Sequence, residues 1–179
     1  MAQQNVRRLH DDPAFRNLRP SLIYEFFAVY SRFEYALKKS PRYLAGWDGQ
    51  DYPKADWSQF ARDTQNDYLD AVGQIGSDFE RAVQYVLRDN PPKLETVVGT
   101  GTQRRIEFVP NKIPNAPTDW GKVIKYIERA RNNLFHGGKY YPAPYDPTRD
   151  EKLLTHCVTI LKTCIRWRPA LERYFRERA

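Results

Sequence analysis

The stretch DWGKVIKYIERARNNLFHGG, residues 119–138, decides how this chain is expected to fold. Apolar residues recur in it every three or four positions, which is the pattern of a helix with one buried face. At about 100° per residue they share one arc of the helix, which comprises Trp120, Val123, Ile124, Ile127, Ala130 and Leu134. Gly137 and Gly138 then supply a stop, because glycine tolerates the left-handed backbone that ends helices. The stretch predicts a long helix, from near Thr118 to about His136, in a helical protein.

Further helical patterns lie on both sides of this stretch. The first predicts a buried stripe of Leu22, Phe26, Val29, Phe33 and Ala36 or Leu37, and the last predicts a buried face of Leu154, Cys157, Val158, Leu161, Cys164 and Ile165. The first has Ser21 as its N-cap and Glu25 in its first turn, and it ends near Ser40. Two sequences of the capping-box type, SDFE at 77–80 and TRDE at 148–151, predict the start of two more helices. Pro169 is expected to kink or restart the last of them.

The remaining segments are shorter. Residues 41–57 contain several glycines and prolines, and we expect a long loop that aromatic side chains hold down; these are Tyr43, Trp47, Tyr52 and Trp57. A helical region of about residues 57–70 follows. The runs LETVV and RRIEFV flank the turn residues GTGT, which predicts a β-hairpin within residues 93–110.

Together these patterns predict a mainly all-α fold. We expect a four-helix up-and-down-type bundle with a small inserted β-hairpin and long loops. Its length of 179 residues with 41% hydrophobic content suits a single domain, residues 1–179, with its own core. Residues 1–19 are polar and irregular, and we interpret them as a flexible arm.

The charge of the chain favours a polyanionic partner such as RNA. Lys and Arg total 29 against 22 Asp and Glu, which gives a net charge of +7. No apolar run approaches the roughly 18 to 20 residues that span a bilayer, so we expect no membrane partner. The first residues, MAQQNVRRLHDDP, lack the apolar segment of a signal peptide, and we expect a cytoplasmic protein.

The cysteines and histidines predict neither a disulfide nor a metal site. Cys157 and Cys164 are seven residues apart in a helical pattern, which separates them by about 10.5 Å along the axis. They are expected to be buried thiols. His10, His136 and His156 do not combine with them in any spacing typical of zinc, so we expect no metal and no cofactor.

Arg131 is the unusual residue of the long helix, because at roughly 20° from Trp120 it falls inside the apolar arc. A buried guanidinium that meets no partner costs several kcal/mol. Two interpretations remain open. Arg131 either pairs with a carboxylate, for which Glu34 and Glu25 of the first helix are candidates, or it lines a cleft that an anion enters.

His136 follows Arg131 by five residues, which places it roughly 140° away around a regular helix. It is expected in the last turn or just beyond it. Imidazole there can act as an acid or a base near neutral pH, whereas the plain alternative is a helix cap.

Arg131, the polar Asn132, three further residues and His136 form the pattern R-N-x-x-x-H at the end of a late helix. This resembles the HEPN superfamily (higher eukaryotes and prokaryotes nucleotide-binding), whose ribonuclease members carry R-x4-6-H with a polar residue after the arginine. The helical architecture from about Ser21 to Arg178 agrees with it. One departure is Gly138, where HEPN toxins paired with a nucleotidyltransferase antitoxin tend to have tyrosine.

The resemblance implies a metal-independent endoribonuclease, acting as a toxin or in antiviral defence, in which two protomers form one composite cleft. His136 would move a proton, Arg131 would stabilise charge on the phosphorane, and Asn132 would orient the phosphate or the histidine. The products would be 2′,3′-cyclic phosphate and 5′-OH ends. An antitoxin or regulatory protein would be a further partner. Residues for holding the RNA would be Lys122, Lys125, Arg129, Asn133, Lys139 and Tyr140.

Two alternatives stay open. The first is a HEPN module without catalytic activity that binds RNA, a nucleotide or a protein. The second is an unrelated helical scaffold in which Arg131 forms a closed ion pair. The lysines and arginine of the long helix also suit an ordinary charged face.

Overall fold

The computed structural model describes residues 18–46, 52–110, 116–135 and 147–177. Within these ranges the chain is mainly helical, with two small antiparallel sheets of two strands each, which confirms the predicted fold class. The elements are α1 (Pro20–Lys39), β1 (Leu44–Ala45), β2 (Lys54–Ala55), α2 (Trp57–Asp63), α3 (Gln65–Val72), α4 (Asp78–Gln84), β3 (Leu94–Val98), β4 (Arg105–Val109), α5 (Asp119–Phe135), α6 (Pro147–Cys164) and α7 (Pro169–Arg176). None of the described helices has the length and apolar character needed to cross a membrane.

The helix α1 begins two residues earlier than the sequence predicts. Arg19 is the N-cap and Pro20 occupies the first helical turn, where its fixed φ suits the helix. The prediction of Ser21 as the N-cap, with Glu25 in the first turn, is therefore wrong. The end near Ser40 is confirmed, because the Ser40 N–H donates to the Leu37 carbonyl at the C-cap.

The end of the predicted arm is packed against the helices. Leu18 is buried, and the Arg19 backbone N–H donates to Glu151 Oε1 over 2.9 Å. The flexible-arm prediction is thus wrong for residues 18 and 19, while residues 1–17 lie outside the described part of the chain. This contact ties the start of α1 to α6.

The region predicted as one helix from residue 57 to 70 is two helices, α2 and α3, that meet at Thr64. Asp56 caps α2, since its Oδ1 accepts from the Gln59 N–H over 2.8 Å. Thr64 Oγ1 donates to the Phe60 carbonyl over 2.7 Å and accepts from Trp120 Nε1 over 2.8 Å. This buried hydroxyl links the break between the two helices to α5.

The loop before α2 is held down by some of the expected aromatic residues. Tyr43 and Trp57 are buried, as predicted, and Trp47 lies outside the described residues. Tyr52 is 90% exposed, so its predicted anchoring role is wrong. A short pairing of β1 with β2, which the sequence did not reveal, closes the loop instead.

The capping box at residues 77–80 is confirmed at its N-cap, because Ser77 Oγ accepts from the Glu80 N–H over 3.0 Å. The helix α4 then continues as a π-helical turn, Tyr85–Asp89, and stops before Pro91. The hairpin of β3 and β4 is also confirmed, with Val97 opposite Ile106. Its turn needs Gly99, because a Cβ there would lie 2.4 Å from the Gln103 carbonyl oxygen.

The start of α6 differs from the prediction, whereas the start of α7 agrees with it. The helix α6 begins at Pro147, so Thr148 lies inside its first turn and TRDE does not cap it. Pro169 starts α7 anew, as one of the two alternatives had it. The predicted apolar face is confirmed as buried: Leu154, Cys157, Val158, Leu161 and Cys164 lie on α6, and Ile165 lies in the 3-10 turn that follows it.

The core lies where the longer helices meet. The predicted apolar stripe of α1 is buried, with Phe26 and Phe33 fully so, and Trp120 of α5 is completely enclosed. Aromatic rings surround this indole: Tyr68 is stacked on it at 5.1 Å, and Phe79 and Trp167 lie at 6.3 and 5.5 Å between centroids. The core thus fixes the orientation of α5, the helix that carries Arg131.

Candidate functional site

Arg131 lies at the border between the core and the surface. It is half-buried on α5, and its Cζ atom is 5.8 Å from the ring centroid of Tyr30 on α1. That distance is within the range of a cation–π contact. The Nη1 atom donates to Asn132 Oδ1 over 3.2 Å. The position in the apolar arc, which the helical wheel predicted, therefore brings the guanidinium against an aromatic ring.

The two carboxylates proposed as partners of Arg131 have described contacts with lysines. Glu34 Oε1 is 2.6 Å from Lys38 Nζ, and Glu25 Oε1 is 2.6 Å from Lys162 Nζ. A third carboxylate, Glu128, stands one turn before Arg131 on α5, and its Oε2 is 3.0 Å from Lys125 Nζ. Each of these three carboxylates thus has a lysine within ion-pair distance.

Burial perturbs two titratable groups of this region. Burial raises the pKa of the Tyr30 phenol well above its usual value, the nearby charges of Glu128 and Glu34 raise it further, and Arg131 opposes them. Burial also raises the pKa of the Glu128 carboxyl, against the attraction of Lys125. Perturbed groups beside a half-buried arginine are typical of functional sites, although ion-pair networks also produce them.

The two asparagines after Arg131 have different environments. Asn132 is exposed and next to the guanidinium, so its side chain is accessible to a ligand. Asn133 is buried, with 6% of its surface exposed, and its Nδ2 donates to the Lys93 carbonyl over 2.9 Å. This amide therefore fastens the segment before the hairpin to α5, and a role of Asn133 in holding substrate stays a prediction.

The basic residues predicted to hold RNA are largely matched by acids of the same helix. Lys122 Nζ is 2.9 Å from Asp119 Oδ1, and Lys125 pairs with Glu128 as described above. Arg129 is half-buried. These i,i+3 pairs favour the interpretation of an ordinary charged helix face for the two lysines.

The remaining predicted site residues lie outside the described part of the chain. They are His136, Lys139 and Tyr140, together with Gly137 and Gly138. The helix α5 is described as far as Phe135, and Arg131 lies four residues before that end.

Sequence reasoning missed Tyr30 and Glu128. Tyr30 is 6% exposed and stacks on Trp57, with 5.2 Å between ring centroids. Its spacing of four from Phe26 and three from Phe33 marked it as a member of the buried stripe of α1. Glu128 is three residues before Arg131, and this spacing alone indicated a shared face.

Other reactive side chains do not form a second centre in the described structure. Cys157 and Cys164 are free and buried, and burial raises the pKa of the Cys157 thiol to about 12, so it is no nucleophile at neutral pH. His156 packs against Tyr85, and burial lowers its pKa. Among the described residues, no group of three or more His, Cys, Asp and Glu side chains could hold a metal ion.

A scan against protein-family models and searches of curated proteins and of solved structures found no significant match to this chain.

Proposed function

We propose that this protein is a metal-independent endoribonuclease of the HEPN type. The observation that carries the proposal is the setting of Arg131: a half-buried guanidinium on a buried aromatic ring, beside the exposed Asn132 and five residues before His136. A cation at the edge of the core, with polar neighbours, suits the binding of a phosphate group. The net charge of +7 favours RNA as the bearer of that phosphate.

The proposed reaction is attack of the RNA 2′-OH on the adjacent phosphodiester. His136 accepts the 2′-OH proton as the O2′–P bond forms, and it returns that proton to the leaving O5′ as the P–O5′ bond breaks. Arg131 stabilises the negative charge that builds up on the phosphorane, and Asn132 orients the phosphate. The products are a 2′,3′-cyclic phosphate and a 5′-OH end.

The proposal includes a homodimer. Five residues of regular helix turn Arg131 and His136 roughly 140° apart, so one chain's helix does not aim both at the same phosphate. A two-fold interface can bring Arg131 of one protomer to His136 of its partner. We further propose that the enzyme acts in the cytoplasm as a toxin or in antiviral defence, under the control of an antitoxin or regulatory protein.

The test is cleavage of a mixed structured RNA by purified protein in the presence of EDTA. We expect the wild type to produce 2′,3′-cyclic phosphate ends, and Arg131→Ala and His136→Ala to lower the rate at least about 100-fold. Arg173→Ala is the matched control, because it removes an arginine of α7 that also lies over a tyrosine ring, 5.1 Å from the centroid of Tyr174, and that has no part in the proposed site. We expect its rate within about threefold of the wild type. Thermal unfolding of each variant shows that the loss is not one of folding.

The asparagine pair gives a second contrast in the same assay. Asn132→Ala is expected to slow cleavage without loss of stability, whereas Asn133→Ala removes a buried hydrogen bond and costs about 1 kcal/mol of stability. RNA that is bound at micromolar protein but stays intact would contradict the ribonuclease and favour the non-catalytic binding module.

A further inference from the structure

The ring beneath Arg131 belongs to a stack of aromatic side chains that fixes its position. Tyr30 stacks on Trp57 at 5.2 Å with the planes inclined by 29°, and Trp57 stacks on Phe33 at 5.1 Å and 17°. Phe33 is completely buried, and Tyr30 and Trp57 expose only 6% and 5% of their surface. Close packing on this scale holds side chains in single rotamers, so the face of Tyr30 has one place in the molecule.

We propose that Tyr30 is a positioning residue that holds the guanidinium of Arg131 where it meets the phosphate of the RNA, an inference that rests on the proposed ribonuclease function. The reason is chemical. An aromatic face attracts a cation through its quadrupole, so a ring that is itself fixed in the core holds the guanidinium at one position.

The electrostatic setting of Tyr30 makes this support independent of pH. Burial, followed by the charges of Glu128 and Glu34, raises the pKa of the phenol far above the physiological range. The phenol of Tyr30 therefore stays neutral near physiological pH. The pH profile of cleavage is then expected to follow other groups and to be the same in the wild type and in Tyr30→Phe.

A second tyrosine of the chain supplies a matched control. Tyr68 has the same 6% exposure and stacks on Trp120 at 5.1 Å and 17°, a packing close to that of Tyr30 on Trp57. It lies in the part of the core around Trp120, Phe79 and Thr64. Loss of the Tyr68 ring perturbs the core in a comparable way without removing the ring on which Arg131 rests.

The first measurement is kcat and KM for RNA cleavage in Tyr30→Leu, Tyr30→Phe and Tyr68→Leu. We expect Tyr30→Leu to lower kcat about 10- to 100-fold with KM within about threefold, because a misplaced guanidinium fails mainly at the transition state. Tyr30→Phe keeps the aromatic face and is expected within about twofold of the wild type. Tyr68→Leu is expected to lose stability like Tyr30→Leu and to keep kcat within about threefold.

The second measurement needs no destabilised variant and no cleavage. In the NMR spectrum, Arg131 Hε is expected to be shifted upfield by the ring current in the wild type and in Tyr30→Phe alike. Arg131 Hε at its unperturbed position, equal kcat in Tyr30→Leu and Tyr68→Leu, or a Tyr30→Phe as slow as Tyr30→Leu would each overturn the inference. A wild type that shows the upfield shift but leaves RNA intact would contradict the proposed function and leave the contact established.

Discussion

Two tyrosine–tryptophan stacks of nearly equal geometry lie in different parts of this protein. In the first, Tyr30 packs on Trp57, and the Arg131 guanidinium lies over the tyrosine. In the second, Tyr68 packs on Trp120, whose Nε1 donates to the buried Thr64 hydroxyl over 2.8 Å. The first stack therefore contacts a charged side chain, whereas the second is enclosed in the core. What surrounds a stack, rather than the stack itself, indicates its use.

The largest expected effect separates the two tryptophans. Trp120 is fully enclosed and packs on rings of α2, α3 and α4, whereas Trp57 retains 5% exposure at the start of α2. Trp120→Ala is expected to lower the free energy of unfolding by about 3–5 kcal/mol, and by more than Trp57→Ala does. Urea unfolding of both variants measures this. An equal or larger loss of stability in Trp57→Ala would contradict the distinction between the fully enclosed Trp120 stack and the Trp57 stack beside Arg131.

A smaller effect is expected on loss of the hydrogen bond between Trp120 of the second stack and Thr64. Thr64→Val removes the hydroxyl but keeps the shape, and it leaves the Trp120 N–H buried without its acceptor. We expect a loss of about 1–3 kcal/mol. Thr64→Ser, which keeps the hydroxyl, is the control and should lose less than Thr64→Val in the same urea titration. Equal losses in both would mean that the methyl group, not the hydroxyl, matters there.

The smallest effect concerns α2, which contacts both stacks: it carries Trp57 of the first, and its Phe60 packs against Trp120 of the second. Its last residue, Asp63, accepts from the Arg42 guanidinium, with one contact of 2.7 Å, and this bond lowers the pKa of the carboxyl to about 2. Because the pKa is lowered on folding, the stabilisation is present above about pH 4 and is lost as the pH falls toward 2. Thermal unfolding from pH 5 to pH 2 should show a smaller decrease in Asp63→Asn than in the wild type. Parallel curves for the two proteins would contradict the assignment.

The sequence predicted those features that depend on local periodicity. The apolar stripes of α1, α5 and α6 repeat every three or four residues, so the helices and their buried faces could be read directly. The hairpin was equally readable, because two β-rich runs flank a glycine turn whose φ values of 86° and 54° at Gly99 and Gly101 favour glycine.

The errors arose where distant contacts or competing end signals decide the structure. The helices α2 and α3 meet at Thr64, whose hydroxyl accepts a hydrogen bond from Trp120, 56 residues away. The sequence also did not reveal that the Asn133 amide donates to the Lys93 carbonyl, 40 residues back. The sequence TRDE predicted that α6 begins after an N-cap at Thr148. The helix instead begins at Pro147, because proline suits the first helical position.

The candidate site was also predictable only where it depends on the spacing within one helix. The helical wheel placed Arg131 in the apolar arc, and the structure puts it half-buried there. The wheel of a single helix could not identify Tyr30, because the contact joins α5 to α1 across about 100 residues of chain. Sequence spacing shows which face a side chain takes, while tertiary packing determines what it meets on that face.

The most direct test of the central claim is to mix two inactive variants. Arg131→Ala and His136→Ala, each slow alone, are unfolded together, refolded as a mixture and assayed for RNA cleavage. If Arg131 of one protomer works with His136 of its partner, the mixed dimer retains one of each, and we expect recovery of about a tenth to a half of the wild-type rate. A mixture as slow as its components, beside an active and equally refolded wild type, would contradict a composite site.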